Sequence, residues 1–210
     1  MNRTTETLLA ALHKAEHRRE PFDYWLLEDM LPEAVCDGIA ALPFAPPEDP
    51  IFDGWRESNN SKRVYFTPAN QRRFAVCSEV ADAFYSSRVV HALERITGAE
   101  LTTGRLRIEY CQDVDGFWLE PHVGIPVKLL TMRVYLMDAP ELHEAGTDLY
   151  DSSPEHKLVA SVPYERNTGL IFVPGNNTWH GFRKRAIHGV RKSISIDYVG
   201  WDWRAVEELA

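Results

Sequence analysis

Cysteine and long apolar runs are scarce in this sequence, and both shortages exclude classes of protein. The three cysteines, Cys36, Cys77 and Cys111, lie far apart and form no CxxC pair, which argues against a disulfide framework and against a cysteine-based zinc site. No apolar run approaches the roughly 20 residues that a membrane-spanning helix needs. Internal repeats and low-complexity tracts are absent as well, so the sequence is that of an ordinary globular protein.

Positive charge is also in short supply. The 210 residues include 23 Lys and Arg against 31 Asp and Glu, for a net charge of −8, and this balance argues against broad binding to nucleic acid or to anionic membranes. Charged residues such as Glu6, Lys14 and Glu16 stand where a signal peptide would have its apolar core. We therefore expect a cytoplasmic protein with a small-molecule partner. The sequence leaves its oligomeric state open.

The first half of the chain has helical patterns and the second half has strand patterns. Apolar residues at helical spacing predict helices over residues 4–19, 33–42, 71–85 and 87–97. Alternation and short apolar runs between turn signals predict strands over residues 24–27, 63–66, 106–110, 129–136, 147–150, 158–162, 169–173 and 192–199. These elements indicate a single domain, residues 1–210, in which a mostly helical preface and loop over residues 1–98 buttress a β-sandwich or barrel over residues 99–203.

Residues 43–62 form a long stretch without a periodic pattern. This proline-rich segment, PFAPPEDPIFDGWRESNNSK, carries the aromatic residues Phe52 and Trp55. Loops of such length in compact domains are often functional. We expect it to be either a lid over a binding site or a packed surface loop.

The segment Leu119–Tyr135 organises the second half of the chain. It places His122 two residues before Gly124, at the head of a long apolar run. Residues two apart in a strand share a face, so Glu120, His122 and Gly124 are predicted to point the same way. A metal site with two histidines and one carboxylate would have Asp or Glu at the position of Gly124.

Two later residues make His122 notable. His180 follows a predicted strand and lies between Trp179 and Gly181, and Arg191 enters the final strand. Taken alone, each would be an ordinary core or strand-edge residue. Two strand-borne histidines with an arginine downstream are an unusual combination.

The order of these motifs resembles the iron(II)/2-oxoglutarate-dependent oxygenase superfamily, in its prolyl 4-hydroxylase-like branch. The resemblance covers residues 104–198 and rests on Tyr110, Pro121-His122 and the segments LLTMRVYL, GTDLYD, FVPGNNTWHGF and GVRKSIS. It implies a double-stranded β-helix, or jelly roll, in a mainly β protein with a helical buttress. It also implies oxidative decarboxylation of 2-oxoglutarate with O2, coupled to removal of hydrogen from an aliphatic carbon of a small metabolite.

The resemblance implies roles for particular residues. His122 and His180 correspond to the two imidazole ligands of iron(II). Arg191 corresponds to the cation that holds the distal carboxylate of 2-oxoglutarate, for which a planar guanidinium has bidentate geometry. Candidates for further cosubstrate contacts are Thr131, Tyr135 and Tyr110.

Other side chains near these positions are candidates for contacts with substrate or with an anion. Arg133 shares the predicted strand face of Thr131 and Tyr135, and Trp118 and Trp179 each neighbour a proposed ligand. The polar residues of the loop and of its C-terminal boundary are further candidates for substrate contacts: Asp53, Arg56, Lys62 and Arg63.

The sequence departs from the family pattern at Gly124. The family has Asp or Glu two residues after the first histidine, and this sequence reads His122-Val123-Gly124. The halogenases of the superfamily are similar to this chain in having Gly or Ala there, which opens a coordination site for chloride. Removing an anionic oxygen leaves the metal with one ligand and one negative charge less, and a halide can supply both.

Four explanations for Gly124 stay open. In the first, chloride binds beside the glycine and is transferred to the substrate. In the second, water, Glu120 or Asp148 replaces the missing carboxylate, and the enzyme hydroxylates its substrate. Alternatively, iron binding is lost and the jelly roll is a catalytically inactive binding protein, or the glycine is an engineered replacement of aspartate. We prefer the first, so the expected cofactors are iron(II) and 2-oxoglutarate, with chloride as a further ligand.

Overall fold

The computed structural model describes residues 2–48, 52–55, 63–137, 142 and 144–210. The α-helices in this part of the chain are α1 (Arg3–Lys14), α2 (Glu33–Ala40), α3 (Pro68–Arg73), α4 (Ala75–Tyr85) and α5 (Ser87–Thr97). The strands are β1 (Glu16–Arg18), β2 (Tyr24–Leu27), β3 (Val64–Tyr65), β4 (Arg105–Asp113), β5 (Leu119–His122), β6 (Lys128–Tyr135), β7 (Asp148–Tyr150), β8 (Leu158–Ser161), β9 (Gly169–Phe172), β10 (His180–Phe182) and β11 (Arg191–Val199). None of these helices is long and apolar enough to cross a membrane.

The strands form two antiparallel sheets. The larger sheet has the order β1-β2-β9-β6-β11-β4-β3, and the smaller has the order β5-β10-β7-β8. From β4 onwards the chain passes repeatedly between them, with β4, β6, β9 and β11 in the larger sheet and β5, β7, β8 and β10 in the smaller. This is the connectivity of a double-stranded β-helix, so the predicted jelly roll with a helical buttress is confirmed.

The larger sheet separates two apolar clusters. On one face, Leu106, Ile108 and Ile196 are fully buried in a cluster that also contains the apolar sides of α1, α4 and α5. On the other face, between the sheets, a second cluster contains Phe172 and Phe182. Alternation along β4, β6 and β11 therefore sends one set of side chains to the helices and the other set into the jelly roll.

Three sequence predictions of local structure are wrong in detail. The first helix ends at Lys14 instead of residue 19, because residues 16–18 pair with the edge of β2. The helix predicted over residues 71–85 begins earlier and is broken, since Thr67 caps α3 and Phe74 takes an extended conformation before α4. The helix predicted over residues 33–42 ends at Ala40, with Ala41 as its C-cap.

Candidate functional site

A cavity of about 80 Å³ lies between the two sheets. The smaller sheet contributes His122 and His180 to its lining, and the larger sheet contributes Thr131, Arg133 and Arg191. The remaining lining residues are Arg63, Glu109, Phe117, Leu119, Gly124, Lys128, Thr147, Leu170, Phe172, Gly181, Phe182 and Ser195. Residues that are far apart in sequence thus meet at one place inside the jelly roll.

The two histidines are direct neighbours. His180 on β10 pairs with His122 on β5, and their ring centroids are 4.4 Å apart. The Nδ1 atom of His122 lies 2.8 Å from the carbonyl oxygen of Glu120, and that of His180 lies 2.8 Å from the carbonyl oxygen of Thr178. A carbonyl only accepts, so each Nδ1 donates its proton, and the lone pair of the neutral ring then lies on Nε2. Metal-binding histidines are commonly oriented by such a bond.

The pairing of β5 with β10 is irregular, and this irregularity corrects one prediction. Leu119 faces Phe182, whereas His122 faces His180, so four residues on β5 match three on β10. A bulge of this kind changes which side chains share a face. Leu119, His122 and Gly124 line the cavity, while Glu120 is exposed to solvent. Glu120 is therefore not placed to replace the missing carboxylate.

Asp148 is engaged elsewhere as well. Its carboxylate accepts hydrogen bonds from Ser161 Oγ at 2.6 Å and from the Arg183 backbone amide at 2.7 Å, and it pairs with Arg185. Burial by itself would raise the pKa of Asp148, but these donors hold it below its usual range. In the described part of the chain, no group of three or more His, Cys, Asp or Glu side chains is arranged to hold a metal ion.

Gly124 is closely packed. A Cβ atom at this position would lie 2.7 Å from Pro174 Cβ and 3.2 Å from Pro174 Cγ. These atoms belong to a rigid ring in the turn before His180, so any side chain at position 124 would force the two segments apart. The glycine therefore matches its surroundings in this fold.

Arg191 lies at the cavity wall, as predicted, and already has protein partners. Its guanidinium donates to the carbonyl oxygen of Ala145 and to Asp113 Oδ2, and it lies 4.7 Å from the ring centroid of Phe182. Burial would raise the pKa of Asp113, but the guanidinium groups of Arg63 and Arg191 hold it below its usual range. The pair is ionised and only 2–3% of either side chain is exposed.

The three candidates for additional cosubstrate contacts lie in different places. Thr131 lines the cavity and donates to Asp197 Oδ1 at 2.8 Å. Tyr135 is fully buried behind the wall, where its hydroxyl and that of Thr147 are hydrogen-bonded at 2.8 Å. Tyr110 is on the opposite face of the sheet, in the helix-side cluster. Tyr110 therefore lies away from the cavity that Thr131 lines, because even-numbered residues of β4 point to the helix side of the sheet.

Residues 52–55 of the predicted lid pack at β5. Glu120 N donates to Gly54 O at 3.0 Å, and Trp118 Nε1 donates to Phe52 O at 3.3 Å. Gly54 has a φ of +82°, and a Cβ there would meet the Trp118 ring at 2.4 Å, so only glycine fits. The ring of Phe52 lies 5.3 Å from that of Phe117, which lines the cavity.

The remaining candidates are less directly placed. Trp118 holds the 52–55 segment instead of lining the cavity, and Trp179 stacks on His156 with ring centroids 3.7 Å apart. Asp53 accepts a hydrogen bond from the Trp55 amide at 3.0 Å. Arg63, by contrast, does line the cavity. Arg56 and Lys62 lie outside the described residues.

Sequence reasoning missed the charged residues of the larger sheet that surround the cavity. Glu109 and Lys128 line it, and Arg107, Asp113 and Asp197 lie behind them in contact with its wall residues. Part of their signal was visible, since Arg107 and Glu109 alternate with apolar residues on β4 and Asp197 does so on β11. A charged strand face is usually exposed to solvent. The second sheet that covers this face cannot be recognised from the sequence of the strand.

Comparisons with known proteins agree on the fold. No protein-family model matches the sequence, and no curated protein matches it significantly. Among solved structures, a prolyl-4-hydroxylase from Pseudomonas putida is similar over 92% of this chain and 98% of its own, with a TM-score of 0.59 and 11% identity. The chain has the prolyl 4-hydroxylase fold. The resemblance in the motifs is thereby confirmed at the level of the fold.

Other structures of the prolyl 4-hydroxylase fold show how wide its chemistry is. A prolyl hydroxylase from Trichoplax adhaerens, in complex with a peptide fragment, is similar over 98% of this chain and 93% of its own, with a TM-score of 0.61 and 14% identity. The non-heme α-ketoglutarate-dependent epimerase SnoN of nogalamycin biosynthesis is similar over 93% and 80%, with a TM-score of 0.56 and 15% identity. Because one fold serves both reactions, the reaction of this chain has to be argued from its own site.

Proposed function

We propose that this protein is an iron(II)- and 2-oxoglutarate-dependent oxygenase that acts on an aliphatic C–H bond of a small molecule. The observation that carries the proposal is the histidine pair: His122 and His180 lie side by side, each with Nδ1 bound to a backbone carbonyl. Imidazole is a suitable ligand for iron(II). Iron bound there, with 2-oxoglutarate and O2, would supply the oxidising chemistry.

The wall opposite the histidines suits a dicarboxylate. Arg63, Arg133 and Arg191 line the cavity beside Thr131 and Ser195, so guanidinium and hydroxyl donors are available to carboxylate oxygens. Leu170, Phe172 and Phe182 provide apolar lining that limits water. The backbone bonds at Nδ1 fix the orientation of both imidazoles before any ligand arrives.

Gly124 supports chlorination as the reaction, in preference to hydroxylation. A glycine contributes no anionic ligand, so a metal held by the two neutral histidines keeps one more positive charge than it would beside an aspartate. Chloride would balance this charge and occupy the open position. The close contact between Gly124 and Pro174 argues against an aspartate at this position in the original chain, so the engineered-variant explanation loses support.

The test is aerobic incubation with iron(II), 2-oxoglutarate and candidate small metabolites, followed by measurement of succinate and of product mass. We expect succinate from the wild-type protein and none above background from His180→Ala. A chlorinated product that depends on chloride supports halogenation, and a hydroxylated product that is indifferent to chloride identifies a hydroxylase. If the wild-type protein forms no succinate above background with any candidate metabolite, the enzyme proposal fails and the chain is explained as a jelly-roll binding protein.

A further inference from the structure

His156 has an unusual backbone conformation for a residue with a side chain. Its φ is +46°, in the left-handed region, which glycine adopts freely and most other residues adopt rarely. The turn around it is held by bonds of its own, because the Asp151 carboxylate accepts from Ser153 Oγ at 2.6 Å and from the Lys157 amide at 2.9 Å. A glycine or an asparagine would suit this turn at least as well, so the turn does not explain the imidazole ring.

The ring of His156 is in contact with Trp179. The two rings stack with centroids 3.7 Å apart and an angle of 28° between their planes. Contacts between aromatic rings stabilise a structure beyond the area that they bury. The backbone of Trp179 is fixed as well, because its carbonyl oxygen accepts from the Tyr150 amide at 2.9 Å. Trp179 is thus held at two points, its backbone by β7 and its ring by the turn over residues 151–157.

Trp179 lies between His180 and the residue that orients it. The carbonyl oxygen of Thr178 accepts the Nδ1 proton of His180 at 2.8 Å, so the orientation of the imidazole depends on the backbone of residues 178–180. A shift of Trp179 would move this carbonyl and the imidazole together. Outer partners of this kind orient the histidines of metal sites, and their loss weakens metal binding.

We infer that His156 is a positioning residue for the proposed iron site and acts through Trp179 on His180. Its ring fixes Trp179, and Trp179 fixes the backbone that sets the orientation of the His180 ring at the cavity. This inference rests on the proposed function, which supplies the identity of the metal. The left-handed conformation at His156 is the local strain that places a ring at this point of the turn.

Two substitutions of His156 separate metal binding from stability. His156→Asn removes the ring and keeps a residue that tolerates the left-handed region. It should change stability little and weaken iron(II) binding about 10-fold, the lower end of the range for outer partners of ligating histidines. His156→Phe keeps a flat ring and strains the backbone, so it should lower stability and retain the iron(II) affinity. Urea denaturation of the iron-free protein and anaerobic iron(II) titration measure the two quantities.

The other ring of the stack gives an independent test. Trp179→Leu should weaken iron(II) binding to the same extent as His156→Asn, and the double variant should bind no more weakly than either single variant, because all three lose one and the same contact. Ile196→Val, in the helix-side cluster, controls for a general loss of stability and should leave the iron(II) affinity unchanged.

Amide hydrogen exchange gives a readout that needs no metal. The Tyr150 amide donates to the carbonyl oxygen of Trp179, so its exchange reports how firmly Trp179 is held. In His156→Asn this amide should exchange about 2- to 10-fold faster than in the wild-type protein, as the loss of one aromatic pair predicts. In His156→Phe its exchange should stay slow.

The outcomes separate this inference from the proposed function. Loss of iron(II) affinity in His156→Phe, together with unchanged affinity in His156→Asn, overturns the inference, because affinity would then follow stability. Additive losses in His156→Asn and Trp179→Leu also overturn it, because the two rings would then not act through one contact. Failure of the wild-type protein to bind iron(II) overturns the proposed function, and this inference with it.

Discussion

The two faces of the larger sheet are built from the same strands and have opposite characters. On β11, Ile194 and Ile196 point to the helices in an apolar cluster, while Ser195 and Asp197 point into the jelly roll. Both faces are buried. The apolar face stabilises the fold by removing hydrocarbon from water, whereas the charged face has low exposure only because its ions pair with one another.

This difference indicates where function lies in the molecule. A buried ion-pair network is weak evidence for stability, since an apolar replacement of similar volume is often as stable. The network here surrounds a cavity that is also lined by the guanidinium of Arg133. The charged face is thus suited to an anionic ligand, and the apolar face holds it in place.

Breaking an ion pair on the charged face should give the largest loss of stability. Asp197→Ala leaves Arg107 and Lys128 without their shared carboxylate, which is fully buried. We expect the free energy of unfolding to fall by about 3–5 kcal/mol, measured by urea denaturation. The matched change on the other face, Ile196→Val, should cost about 0.5–1.5 kcal/mol. Equal losses in the two variants would contradict the distinction between the faces.

Adding a side chain at position 124 should give a smaller loss of stability. Gly124→Asp drives a Cβ into Pro174 and should lower the free energy of unfolding by about 1–3 kcal/mol, as overpacking does. Adding Pro174→Gly removes the contacting ring and should restore stability. In that double variant the new carboxylate should strengthen iron(II) binding and suppress any chlorination. Chlorination that persists there would show that the halide does not depend on the glycine.

Tyr110→Phe should give the smallest effect, and in the opposite direction. The hydroxyl of Tyr110 is buried on the helix side with no hydrogen-bond partner among the described residues. Removing it should leave stability unchanged or raise it by about 1 kcal/mol, as thermal denaturation would show. The affinity for 2-oxoglutarate should not change. A marked loss of affinity would return Tyr110 to the list of cosubstrate contacts.

Much of the local structure could be predicted from the sequence. The helix over residues 87–97 was predicted with its observed ends, because Gly98 adopts the left-handed conformation that terminates it. The strand over residues 24–27 was also predicted with its observed ends, since its apolar aromatic residues lie between turn signals. The helix predicted to residue 19 failed because pairing with β2 outweighed local preference.

The site itself could be predicted only in part. The motifs singled out His122, His180 and Arg191, and all three line one cavity. No local pattern shows that the two histidines are cross-strand neighbours. The bulge in β5, which turns Glu120 outwards, depends on pairing with β10. The burial of Glu109 and Arg107 depends on the second sheet that covers them. Their alternate spacing is the same as that of charged residues on a solvent-facing strand, so it does not predict burial.

The most direct test of the central claim is an anaerobic titration of the protein with iron(II) in the presence of 2-oxoglutarate, followed by the charge-transfer absorption of the complex. We predict a single saturable site in the wild-type protein and no complex in His122→Ala or His180→Ala. An absorption band that survives in either variant, or that never forms in the wild type, would contradict the assignment of this histidine pair as the iron site.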